Sequence, residues 1–151
     1  MPELLTDYGL FSLFLLSFCA STLIPLGSEW LLVALLLQGE DATTAVAVAT
    51  AGNSLGAGSS YLIGRFGSDW LADRVLRIGE VQRQRAARIF ARYGSWSLFF
   101  SWLPIIGDPL CLIGGLLRIH VGRFFLLVAS GKGLRYIFVA QVTLRSMELA
   151  V

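Results

Sequence analysis

Long apolar runs separated by short polar interruptions dominate the chain, and four of the runs approach a bilayer's width. They extend roughly over Phe11–Leu37, Ala42–Gly64, Ser95–Leu117 and Phe124–Leu144. A helix that crosses the hydrocarbon core needs about 20 residues at ~1.5 Å of rise each. Two runs are interrupted at mid-length. Pro25-Leu26-Gly27-Ser28-Glu29 breaks the first, and Pro104-Ile105-Ile106-Gly107-Asp108-Pro109 breaks the third. Proline removes a helical hydrogen bond and glycine loosens the backbone, so Pro25, Gly27, Pro104, Gly107 and Pro109 are the expected helix breakers. Broken backbone at membrane depth survives only where protein or water satisfies its polar groups. A proline kink in an ordinary span competes for either segment alone, but both carry an acid four residues after the proline.

A shift of 79 residues lays Pro25 on Pro104, Glu29 on Asp108, Gly52 on Gly131 and Leu55 on Leu134 without a gap. It also carries Asn53, the polar residue inside the second run, onto Lys132. The identities are few, so coincidence competes with duplication, yet they fall on residues that break the apolar pattern. Duplicated halves interrupted at matching places point to transporters that bind substrate near the midplane.

Charge selects a topology. Arg65, Arg74, Arg77, Arg83, Arg85, Arg88 and Arg92 crowd the connection between the halves, which the positive-inside rule places in the cytoplasm. Arg118 and Arg123 stay on that side only if the third run dips in and returns. The expected fold is therefore an all-α integral membrane protein, an inverted repeat in which each half pairs a re-entrant helical hairpin with one transmembrane helix. The N-terminus lies outside, and the second and fourth runs cross. The chain reads as one membrane domain, 1–151, with repeat one at about 9–64, an amphipathic linker at 65–93 and repeat two at about 94–144. In the linker, Ser68 could cap a helix carrying Trp70, Leu71, Val75 and Ile78 on one side. A second helix would set Ile89, Phe90 and Tyr93 opposite Arg85, Arg88 and Arg92, which would face anionic headgroups together with Arg118 and Arg123. An ordinary solvated linker is the competing reading.

Composition agrees: 56% of residues are hydrophobic, 15% are charged and mean hydropathy is +0.71. That leaves too little polar surface for a soluble globule and excludes intrinsic disorder. A net charge of +2 without a basic tail gives no reason to expect nucleic acid as a partner. Cys19 and Cys111 both sit in apolar runs, which argues against a disulfide framework.

The chemical content lies in the charges inside apolar runs: Glu29, Asp108, Lys132 and Arg135. Each costs roughly 2.5–3.5 kcal/mol at the bilayer centre even on the lenient insertion scale, so they must pair or line a wet cavity. Lys132 and Arg135 are three apart and share a helix face. Static ion pairing is one reading. In the other, the basic pair receives an anionic headgroup while the acids balance charge or exchange protons, with Asn53 on the same pathway. No cluster resembles a metal or nucleotide site, so neither metal nor cofactor is expected. Proteolysis is a poor fit, because Ile105 breaks a Gly-x-Gly-Asp form and the single histidine, His120, lies between the third and fourth runs.

These motifs resemble the DedA membrane-protein superfamily (the VTT, or SNARE-associated, domain), in its short YqaA-type branch. Pro25-x-Gly27-Ser28-Glu29 resembles the family's first hairpin. Gly52-Asn53-Ser54-Leu55-Gly56 with Tyr61-x-x-Gly64-Arg65 resembles its second segment. Phe90-x-x-Tyr93-Gly94, Pro104 and Gly114-Gly115 resemble the second hairpin and its exit. The resemblance implies opposed re-entrant hairpins and movement of lipids between leaflets of the bacterial inner membrane, in support of envelope homeostasis. It departs at Ser101 and Gly107, where the family commonly carries arginines, and Lys132 and Arg135 are candidates to supply that positive charge. The expectation is a multi-pass lipid translocase or scramblase for an anionic, phosphate-bearing lipid, without enzymatic activity, and with a homodimer plausible. A proton-coupled antiporter for a small ion or cationic solute, and a non-transporting scaffold, are the alternatives.

Overall fold

A computed structural model describes residues 2–21, 27–67, 70, 74 and 78–150, with side chains from Tyr8 onward. Among them are six α-helices: α1 (Pro2–Ala20), α2 (Ser28–Leu37), α3 (Ala42–Phe66), α4 (Glu80–Tyr93), α5 (Gly107–Leu116) and α6 (Val121–Leu149). A 3-10 helix, Gly94–Trp102, precedes α5, and the described residues contain no strand. Pro25 and the start of the expected first linker helix, Ser68, lie outside the described residues, as do Leu71 and Val75.

Both interrupted runs are broken in the structure. The third changes from 3-10 helix to α-helix across a turn at residues 103–106, where Ile105 takes a left-handed φ of 52°, uncommon for a β-branched residue. Pro109 costs α5 nothing, because it falls in the first turn, where backbone N–H groups have no helical acceptor. The arms of each broken run lie against each other in opposite directions. A Cβ on Gly9 would stand 2.7 Å from Leu35 Cδ2, and one on Gly27 would stand 3.5 Å from Leu16 Cδ1. In the later run a Cβ on Gly114 would stand 3.3 Å from Leu98 Cδ2, and one on Gly107 would run into the Ser101 carbonyl. At ~1.5 Å per residue, α2 and α5, ten residues each, are about 15 Å long, half of a ~30 Å hydrocarbon core.

The 79-residue offset recurs in the elements. α2 and α5 begin at 28 and 107, and α3 and α6 begin at 42 and 121. The turns between them match bond for bond. Gly39 N–H donates to Leu36 O and Glu40 N–H to Leu35 O, as Arg118 N–H does to Gly115 O and Ile119 N–H to Gly114 O. This is the Schellman closure, with its left-handed position at Gly39 (φ 91°) and Arg118 (φ 52°). Asp41 and His120, again 79 apart, then cap α3 and α6 by accepting from Thr44 N–H and Gly122 N–H.

α3 packs on α1 and α5, and α6 on α2, α3 and the 3-10 helix. Two large apolar cores result, besides a small contact of Ile78 with Leu112. One joins Leu13, Leu32, Leu36 and Tyr136, and the other joins Tyr61, Phe90, Leu98, Leu110 and Phe124. Among the described residues, α6 is the one helix both long and apolar enough to cross a membrane. α3 has the length, but Gly, Ala, Ser and Thr fill it, and its buried face includes Gly52, Asn53, Ser54, Gly56 and Ser60. Leu126, Leu134 and Phe138 of α6 remain more than half exposed.

α4 is amphipathic: Ala86 and Phe90 are buried and Ile89 half-buried, while Arg85, Arg88 and Arg92 are exposed. Tyr93 departs from the expected apolar face. It lies in the last turn, where Gly94 (φ 62°) redirects the chain, and its exposed ring sits 5.7 Å from the Arg92 guanidinium.

Candidate functional site

The polar centre is built on one stretch of α6, Lys132 to Tyr136. Lys132 is 4% exposed, and its ammonium group has three protons to place. Nζ donates to Ser21 Oγ (2.9 Å), to the Asn53 carbonyl (3.3 Å) and to Asn53 Oδ1. Ser21, just past α1, donates onward to Asp108 Oδ1 of α5 at 3.5 Å. Because a lysine only donates, Asn53 must turn its oxygen toward Lys132, which points Nδ2 the other way. Nδ2 donates to the Tyr136 hydroxyl at 2.6 Å. That hydroxyl also shares a hydrogen bond with Ser28 Oγ, 2.8 Å away on α2, in which either hydroxyl can donate.

Arg135 makes a second connection one turn along. Its Nη2 pairs with Glu29 Oε1, and its Nη1 donates to the Trp102 carbonyl at 2.9 Å. It reaches that carbonyl because Gly131 brings α6 close to the 3-10 helix: a Cβ there would run into the Phe99 carbonyl. Asp108, Lys132 and Arg135 line a cavity of about 30 Å3 together with Ser21, Asn53 and Ser101, and Glu29, behind Arg135, makes the four charges formally neutral. Such a space holds a water or two. The buried Ser101 Oγ, which lines it, has no protein partner among the described residues, so water there would have a polar group to satisfy.

Glu29, Asn53, Asp108, Lys132 and Arg135 are all brought together at this centre. Pro104 lines the cavity, Gly107 packs against the Ser101 backbone, Pro109 is buried in α5, and Gly27 lies on Leu16. Pro25 lies outside the described residues. Arg85, Arg88, Arg92, Arg118 and Arg123 are exposed and do not line the cavity. Reading the sequence missed Ser21, Ser28 and Tyr136 as members. Their signal was weak: Ser28 adjoins Glu29, and Tyr136 adjoins Arg135 and lies one turn from Lys132.

The chain is 41% identical over 140 residues to inner membrane protein YqaA of Escherichia coli (strain K12), covering 92% of this chain and 94% of that one. Inner membrane protein YqaA of Shigella flexneri gives the same figures. An uncharacterized protein of Haemophilus influenzae is 34% identical over 133 residues, covering 83% of this chain and 81% of the other. No solved structure matches. Residues 24–144, which hold every member of the polar centre except Ser21, match the VTT domain. The chain belongs to the VTT-domain (DedA) family of membrane proteins.

Proposed function

We propose that this protein is a multi-pass inner-membrane transporter that moves an anionic, phosphate-bearing lipid between leaflets. The observation that carries the proposal is the neutral cluster of Glu29, Asp108, Lys132 and Arg135 from α2, α5 and α6, with Asn53 of α3 holding Lys132. Charges at membrane depth are expensive and concentrate on substrate and ion pathways. Here Lys132 and Arg135 receive the anion, Asn53 holds Lys132 in place, and Glu29 and Asp108 balance charge or accept protons.

The broken runs act as re-entrant hairpins, each bringing a half-length helix to the midplane. The 79-residue correspondence supports an inverted repeat, and the contact between Asn53 and Lys132 supports it further. Equivalent residues meet each other only on a twofold axis, and these two are equivalent and touch. α3 and α6 are then the crossing helices, and α4 lies at the cytoplasmic surface with its arginines toward anionic lipids. The names of the E. coli and S. flexneri relatives support the inner-membrane location.

Reconstitution in vesicles tests the function. Leaflet exchange of labelled phospholipid or polyprenyl phosphate is expected, reduced in Arg135→Gln and Lys132→Met. No exchange of any probe refutes it, and proton-coupled uptake of a small cation abolished by Glu29→Gln would favour antiport instead. Cysteines placed at Arg92 and Arg118 should react from one side and one at Glu40 from the other. Labelling of Arg92 and Arg118 from opposite sides would remove the second hairpin.

A further inference from the structure

The polar cavity of about 30 Å3 is too small for a phosphate-bearing headgroup, yet two of its lining residues, Trp102 and Arg135, also line a second and much larger space. That space is a groove of about 350 Å3 bounded by Trp102, Gly131, Leu134, Arg135 and Phe138, with an almost wholly apolar lining. Four of these residues stand at i, i+3, i+4 and i+7 on α6, one continuous face. Gly131 lets α6 lie close against the Phe99 backbone of the 3-10 helix, which sets Trp102 beside the Leu134–Phe138 face. From 131 to 138 the groove runs about 10 Å along the helix, at ~1.5 Å per residue. A volume of this order suits one small ligand and is far from the surface a second protein chain would need to bury.

We infer that this groove and Arg135 together form a binding site for a single-chain alkyl phosphate. The chain lies against Trp102, Leu134 and Phe138, and the anionic head replaces Glu29 on the Arg135 guanidinium. Arg135 is suited to the exchange because its two contacts differ. The Trp102 carbonyl holds Nη1 in place, whereas Nη2 is committed to a carboxylate that is itself about a fifth exposed and whose other oxygen has no partner among the described residues. Glu29 thus occupies the position of the ligand's anion, and the site is closed until that carboxylate leaves. Charge complementarity selects the occupant: one cation at the end of an apolar channel matches an amphiphile with one anionic head. This inference rests on Arg135 as the anion contact in the proposed transport function and adds the place of the tail and the competitor for the head.

Titration calorimetry on the full chain in neutral maltoside micelles tests it, with lysophosphatidic acid, lysophosphatidylcholine and inorganic phosphate as probes. Lysophosphatidic acid should bind, and the other two should bind at least about tenfold more weakly. Glu29→Gln should tighten lysophosphatidic acid about fivefold by freeing Arg135, the upper end for a partly exposed ion pair. Leu134→Trp, at an exposed position where a larger ring fills the groove without entering the core, should weaken it at least about tenfold.

Unchanged binding in Leu134→Trp overturns the groove, as does inorganic phosphate binding as tightly as the lysolipid. Unchanged or weaker binding in Glu29→Gln overturns the competition, and if that variant does not fold, Leu134→Trp decides alone. Leaflet exchange that persists in Leu134→Trp would refute this site while leaving the transport function standing. Lysolipid binding with the expected pattern, without any exchange, would do the reverse.

Discussion

Replacing Tyr136 by phenylalanine removes one oxygen atom from the interior and leaves the ring in place. The hydroxyl is fully buried and makes two hydrogen bonds, accepting from Asn53 Nδ2 at 2.6 Å and meeting Ser28 Oγ at 2.8 Å. Interhelical hydrogen bonds in membrane proteins average about 0.6 kcal/mol, so two lost bonds set a floor near ~1.2 kcal/mol. The partners left behind raise the figure. A buried polar group without a partner costs about 1–3 kcal/mol. Ser28 can turn its hydroxyl proton elsewhere, but Asn53 cannot turn its amide, because Lys132 holds the oxygen. We expect Tyr136→Phe to lose about 2–3 kcal/mol, most of it from the stranded Asn53 amide. Ser28→Ala should lose about 1 kcal/mol, because Tyr136 can still accept from Asn53. Unfolding by sodium dodecyl sulfate in mixed micelles, followed by circular dichroism, measures both. A loss below about 0.5 kcal/mol for Tyr136→Phe, within the range of inconsequential surface changes, would refute the buried hydrogen-bonded chain. So would Ser28→Ala proving the more damaging of the two.

Three further outcomes follow from the packing and the charges. A Cβ at Gly115 would stand 2.8 Å from the Tyr61 carbonyl carbon, so Gly115→Ala should push α5 from α3 and cost about 1–3 kcal/mol in the same assay; Gly64→Ala, at the same crossing, should add less than its separate cost. Arg135→Gln strands Glu29 in a largely enclosed site and should cost about 1–3 kcal/mol, while the double variant Arg135→Gln with Glu29→Gln should recover part of that loss in a double-mutant cycle. The Thr44 backbone N–H and hydroxyl both donate to Asp41 and hold its carboxyl below the usual carboxylate range. The cap is therefore at full strength above about pH 4 and weakens as pH falls through the lowered value; protection of the amides at residues 44–46, taken relative to the intrinsic exchange rate at each pH, should fall toward pH 3 in the parent and lose that dependence in Asp41→Ala.

Both helix breaks and the partnership of the four charges were legible in the sequence, because proline, glycine and ionisable residues are conspicuous in an apolar run. Element spacing was legible in outline too, through Pro25 with Pro104 and Glu29 with Asp108. The turn that makes the correspondence most exact was not. Gly39 and Arg118 have no chemical likeness, and what they share is a backbone conformation that no residue type announces. Tyr136 was missed for a related reason. An aromatic residue in an apolar run reads as filler, and only the approach of α2 and α3 gives its hydroxyl two partners. Tyr93 failed in the opposite direction: its periodicity placed it on the buried face, but α4 ends there.

The meeting of Asn53 with Lys132 also bears on how such a core could arise. In an assembly of two identical subunits, a residue on the axis faces its own copy, so a lysine would confront a lysine in a medium that screens charge poorly. A cation facing a neutral amide requires the two positions to differ. Once both halves share one polypeptide, each can mutate without altering the other, and a donor can acquire an acceptor as its mirror image. On the proposed repeat, one polypeptide can thus set a cation against a neutral amide at equivalent positions, where two identical copies would have to share one residue.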